Sequence, residues 1–124
     1  MTSFEQTTLN KDVNFGELLG RVEGDRELLR DIFELFNEEF PKSYELLTSA
    51  LACNDLKQVQ TSAHTLKGML SSLSFVRASA TAKRIEQMAR LLQRDGIAEE
   101  VTSLARSAHA AQVSLQKVCT EATW

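Results

Sequence analysis

The sequence predicts an all-α protein, an antiparallel up-down-up-down four-helix bundle with a short additional helix at its N-terminal end. Three observations carry this. Apolar residues recur at three- and four-residue spacing over four long stretches, the period of a helix with one buried face. Five Gly and one Pro in 124 residues are too few for the turn-rich sequence of a β architecture. The breaks between the stretches are short, which makes consecutive helices antiparallel neighbours.

Residues 1–12 are polar and weakly patterned, and read as a loose N-terminal arm or a short lead-in helix, with Phe4 and Leu9 as residues that could dock on the bundle. The bundle domain follows over residues 13–120. A short helix is expected from Asn14 to Val22, with Phe15, Leu18 and Leu19 inward, broken by Glu23-Gly24-Asp25. Asp25 is a suitable N-cap for the next helix. Leu28, Leu29, Ile32, Phe33, Phe36, Phe40, Tyr44, Leu47 and Leu51 keep one helical phase across Pro41. The spacing therefore predicts a single helix kinked at the proline, which cannot donate a backbone bond. Asn54-Asp55 ends it and caps a third helix, Asp55 to Leu73. Its stripe is Leu56, Val59, Ala63, Leu66, Leu70 and Leu73. A turn near Ser74 leads to a fourth helix, Phe75 to Arg94, burying Phe75, Ala78, Ala82, Ile85, Ala89 and Leu92. Asp95-Gly96 is a stop signal. The last helix runs from Ile97 to Val118, with Val101, Leu104, Ala108, Ala111, Leu115 and Val118 inward.

Composition excludes several functions. The chain is 43% hydrophobic and 25% charged, with a net charge of −3, ordinary for one soluble domain and no invitation to nucleic acid. No apolar run approaches the roughly 18–20 residues of a membrane span. MTSFEQTTLNKDVNF shows no basic region followed by an apolar core, so no secretory signal is visible. Cys53 and Cys119 form neither CxxC nor a Cys/His metal pattern. They read as two partly buried apolar residues in a reduced, cytoplasmic protein. His109 lacks ligand-spaced partners and reads as a surface residue, so no metal site is expected. The pairs Glu38-Glu39 and Glu99-Glu100 read as solvated faces. There is no glycine-rich phosphate loop and no ATP-binding motif.

The informative segment is Ala63-His64-Thr65-Leu66-Lys67-Gly68. His64 is off the apolar stripe, and its neighbours one turn away are Gln60, Lys67, Gly68 and Ser71. The helix therefore presents a solvated imidazole, an ammonium one turn on, and bare backbone beside both. Glycine in a helix interior costs roughly 0.5–1 kcal/mol relative to alanine, which suits a place where something must come close.

AHTLKG resembles the signature of histidine-containing phosphotransfer (HPt) domains of two-component phosphorelays. Its continuation MLSSLSFVRASATAKRIEQMA follows that family's helix-turn-helix pattern, and the segment upstream, from GDRELLRDIF onward, resembles the preceding helix. The resemblance spans roughly residues 15–120. It implies that His64 accepts a phosphoryl group from the aspartate of a response-regulator receiver domain and returns it. In the family the phosphorylated atom is Nε2. It further implies that Mg²⁺ sits in the partner receiver while this chain binds no cofactor, and that a hybrid sensor kinase is a further partner. An imidazole that is neutral near pH 7 needs no catalytic base for such chemistry, and the loose transition state leaves the protein to position groups and stabilise charge.

On this reading Lys67 stabilises phosphoryl oxygens and Gly68 leaves room for the phosphoryl group and the partner's loops. Gln60 and Ser71 share the face. Met69 and Phe75 are apolar candidates for the partner's contact, made over the third and fourth helices. A residue ten positions beyond the turn should be level with His64, which lies ten before it. That points to Gln87 first, then Lys83 and Arg84, as the group that orients the imidazole through one ring nitrogen. The chain departs from the family pattern at Met69, at Ser72 and at Ser74-Phe75 in the turn, where small residues, Asn and Gly-Ala are frequent. Two other functions fit the same residues: a module phosphorylated directly from ATP by a chemotaxis-type kinase, and an unphosphorylated interaction scaffold. A monomer is expected, since no heptad seam is seen outside the core.

Overall fold

A computed structural model describes residues 10–120. Among them are five helices and no strand: α1 Phe15–Arg21, α2 Arg26–Ala52, α3 Leu56–Ser72, α4 Val76–Arg90 and α5 Ile97–Thr120. The four long helices pack as a bundle, with α3 against both α2 and α4, α5 against α4, and a looser contact between α2 and α5. Every residue of the predicted α3 stripe is buried, as are the six predicted inward residues of α5. Phe36 links the layers, stacking on Phe40 and meeting Phe75 edge to face.

The helix starts follow from their caps. Asn14, Asp25 and Asp55 each accept from the backbone N–H three residues on, Glu17, Leu28 and Gln58 respectively, which satisfies one donor that the first turn leaves unpaired. The ends share one device. The amides of Gly24, Asp55, Phe75 and Gln93 each reach the carbonyl five residues back, on Leu19, Ala50, Leu70 and Met88. The residues just before them, Glu23, Asn54, Ser74 and Leu92, have φ of 52°, 58°, 55° and 58°. This is the left-handed C-terminal stop normally given to glycine, made four times without one.

That device corrects the expected course of α4. The helix ends at Arg90 and not at Arg94, because the chain turns left-handed at Leu92. Leu92, expected inside, is 73% exposed. Three other expectations change. Leu28 is 43% exposed, at the rim of the α2 stripe. Cys53 is exposed, and only Cys119 is buried. Residues 10–12 are not loose: Asn10 donates to Ser114 Oγ at 3.0 Å, Val76 N–H donates to the Asp12 carbonyl at 3.1 Å, and Asp12 pairs with Arg77. The rest of the expected arm, with Phe4 and Leu9, lies outside the described residues. α2 runs through Pro41 without interruption.

The turn between α3 and α4 is held from outside. The Asn14 amide donates to the Ser74 carbonyl at 2.9 Å, and Ser74 Oγ donates to Glu17 at 2.9 Å. Arg21 bridges Glu17 and the Ser71 carbonyl. α1 thus fixes the join from which the α3/α4 edge is built.

Candidate functional site

His64, Lys67 and Glu86 meet on the outward edge of α3 and α4. His64 Nδ1 lies 2.6 Å from Glu86 Oε2, and Lys67 Nζ donates to Glu86 Oε1 at 2.7 Å. One carboxylate therefore serves both residues, an oxygen to each. Periodicity puts His64 and Lys67 one turn apart on α3, while Ala63 and Leu66, the residues just before them, are buried and fix the helix phase. On α4, Ile85 and Ala89 are buried and aim the intervening Glu86 across the edge. Small side chains at Ala63, Ala82 and Ala89 let the two helices approach closely enough for the bridge.

The three side chains differ in exposure. The His64 side chain is 67% exposed, Lys67 29% and Glu86 17%. The Lys67 hydrogen bond, partly opposed by burial and supported by the His64 contact, holds the Glu86 carboxyl below the ordinary glutamate range. Glu86 is thus an anion near neutral pH, and an ionised carboxylate only accepts. A neutral imidazole facing it donates from Nδ1, and that tautomer leaves the Nε2 lone pair free in a largely exposed ring.

The side chain in contact with the ring nitrogen is Glu86, not Gln87, Lys83 or Arg84. Arg84 is turned away, donating to Glu100 at 3.1 Å and to Thr81 at 3.1 Å. Gln87 is exposed, and its main-chain carbonyl accepts from the Leu91 N–H. Lys83 lies further along the edge, lining a shallow hollow with Ser71, Ser74 and Ser79. A sequence signal for Glu86 existed: it is the single acidic residue of α4, a helix that also holds Arg77, Lys83, Arg84 and Arg90.

Of the remaining candidates, Ser71 is tied to Ser79 by a 2.7 Å hydroxyl contact, and Gln60 is half-buried one turn before His64. Gly68 is exposed, and a Cβ added there would meet nothing within 4 Å. The packing of this chain gives no internal reason for a glycine at that position. Phe75 is withdrawn as a surface residue: it is fully buried, wedged at the start of α4 against Phe36. Met69 is half-buried, packs on the core, and lines a groove between α2 and α3 with Thr65 and Ser72. His109 is exposed on α5, apart from this cluster.

Among the described residues no helix is long and apolar enough to cross a membrane. Compared with models of protein families, the chain matches the Hpt domain over residues 31–119. Neither the curated proteins nor the solved structures give a match.

Proposed function

Because the chain belongs to the Hpt domain family, a family of histidine phosphocarriers in phosphorelays, we propose that His64 is its phosphoacceptor and exchanges a phosphoryl group with the aspartate of a receiver domain. The observation that carries this is the Glu86 carboxylate bridging His64 Nδ1 and Lys67 Nζ. In the forward step the Nε2 lone pair attacks phosphorus. The N–P bond forms as the bond from phosphorus to the aspartyl oxygen breaks, and the carboxylate of the partner leaves as an anion. No proton has to move on His64. The ring keeps its Nδ1 proton and becomes cationic, and Glu86 faces that charge. Lys67, within reach on the same turn, stabilises the phosphoryl oxygens as a compact positive charge. Gly68 leaves the approach open. The reverse step returns the group to an aspartate along the same path.

This chain supplies position and charge. Mg²⁺ and the acidic pocket that binds it belong to the receiver. The chain is a carrier, itself the substrate in each half-reaction, acting as a cytoplasmic monomer. An up-down-up-down order of the four long helices fits the same reading. The pairs His64–Glu86 and Ser71–Ser79 close in step on the Ser74 turn. Arg30–Cys119, Asn37–Gln112 and Tyr44–Val101 run oppositely along α2 and α5.

Incubation with a phosphorylated receiver, followed by intact mass measurement under alkaline conditions, tests the proposal. An acid-labile, alkali-stable phosphate on the wild type and none on His64→Gln is the expected result. Labelling by a kinase domain with ATP but by no receiver would give the chain the kinase-substrate role instead.

A further inference from the structure

The group facing His64 is a carboxylate, and orienting the ring does not by itself require one. Any acceptor aimed at Nδ1 would hold the same tautomer. Glu86 instead brings a full negative charge to 2.6 Å from Nδ1, on a side chain that is mostly buried. Its other oxygen is held by Lys67, so the anion persists below the ordinary glutamate range.

The other charges around the ring lie elsewhere or are engaged. On α4, Lys83 and Arg90 lie three residues before and four after Glu86, and both are exposed. On α3, Lys57 lies two turns before His64 and is exposed. Across the α2 groove Glu39 pairs with Lys42 at 3.6 Å. On α5, Glu100 pairs with Arg84 at 3.1 Å. Among the described residues, Glu86 is the one carboxylate bonded to the ring.

Giving the phosphoryl group back makes a demand on the Nδ1 proton that taking it up does not. In uptake the neutral ring already carries that proton. In return, the Nε2–P bond breaks as a carboxylate oxygen of the receiver forms its bond to phosphorus, and the electron pair of the broken bond stays on Nε2. With Nδ1 protonated, the leaving group is a neutral imidazole. With Nδ1 bare, it is an imidazolate anion, a far stronger base and a far poorer leaving group. An ordinary imidazolium gives up its proton at about pH 6.5, and an opposite charge in contact holds the proton to higher pH. Once Lys67 turns to the phosphoryl oxygens, the charge of Glu86 falls on the ring alone.

Resting on the assignment of His64 as phosphoacceptor, we propose that Glu86 keeps the phosphorylated ring protonated at Nδ1, and so able to give its phosphoryl group back at and above neutral pH. Glu86 acts through the ring, and its charge does what a neutral acceptor cannot.

Glu86→Gln tests this, since it keeps an acceptor for Nδ1–H and removes the charge. The full chain, wild type and variant, is phosphorylated from a receiver and repurified. Return of phosphate to the unphosphorylated receiver is then timed between about pH 6 and pH 8. Taking the ratio of variant to wild type at each pH cancels the receiver's own pH dependence. The ratio should fall about tenfold or more across that range, as for a proton lost near pH 6.5. Lys67→Ala, slowed for a different reason, should keep a ratio that does not fall. Titration of the phosphorylated ring, read by NMR of ¹³C-labelled histidine, should place the wild-type midpoint about one unit or more above an ordinary imidazolium, which needs no variant to fold. A constant ratio for Glu86→Gln, the same fall for Lys67→Ala, or an ordinary wild-type midpoint overturns this role alone. Failure of the wild type to take up phosphate, or label on His64→Gln, overturns the assignment of His64 and this role with it.

Discussion

On the side of α3 that faces α4, the polar groups are matched: His64 and Lys67 each hold one oxygen of Glu86, and Ser71 meets Ser79. On the side that faces α2, Thr65, Met69 and Ser72 look into a groove, and α2 carries the exposed leucines Leu35 and Leu46. The same helix thus borders one edge closed by internal bonds and one left open. The difference lies in how near the neighbouring helix comes. Alanines at 63, 82 and 89 let α4 come close enough for side chains to bridge, whereas the larger Ile32, Phe36 and Met69 line the α2 edge. Fixed geometry suits chemistry that needs one ring nitrogen presented, and an open apolar edge suits an occupant from elsewhere.

Substitutions can sharpen or break that contrast. His64→Gln should abolish phosphate uptake from a receiver while thermal unfolding shifts by no more than about 0.5 kcal/mol, as at an exposed site. A collapse of folding would mean that the closed edge is structural rather than chemical. Glu86→Ala should slow uptake about 10- to 100-fold, in line with the loss of a group that orients a functional imidazole. Glu86→Gln, which can still accept from Nδ1–H, should lose less. Equal rates for the two variants would remove the orienting role from the mechanism. Lys67→Ala should cost about tenfold, less than a buried donor to a developing anion; stopped-flow transfer at several salt concentrations reads this.

The smallest effect concerns pH. The Glu86 carboxyl titrates lower in the folded protein than in the unfolded chain. Its contribution to stability is therefore fully present above the ordinary glutamate range near pH 4.3 and fades as pH falls through the lower folded value. Midpoints of urea unfolding for wild type and Glu86→Gln should differ at pH 7 and converge in acid. A constant difference across that range would show that the bridge contributes nothing through charge.

Much of this was legible in the residues. The α3 stripe fixed the phase of the helix, and the phase put His64 and Lys67 outside. Glu86 was missed because height along α4 was used without phase: residues 83 to 87 all lie near the level of His64. With Ala82, Ile85 and Ala89 inward, Glu86 falls at the margin of the buried face, where it can reach across to α3. Gln87, one residue on, is turned about 100° further round the helix and is exposed. Leu92 was misplaced for a different reason. Its spacing suits the buried face of α4, but the left-handed stop replaces the last turn, and no glycine or asparagine marks it. The exposure of Leu28, Leu35 and Leu46 on α2 was hidden because they share the broad apolar face with the core, and periodicity does not separate the centre of such a face from its rim.

The three residues Leu73–Phe75 work like the indexing pin of a gear. With Ser74 held left-handed and tied to α1, they decide which tooth of α4 meshes with His64. One alanine inserted after Ser74 would turn α4 by about 100° and advance it about 1.5 Å against α3. If the turn held and the helices stayed packed, Glu86 would leave the ring and another residue would take its place. A change outside the reactive cluster would then silence it without removing any of its side chains.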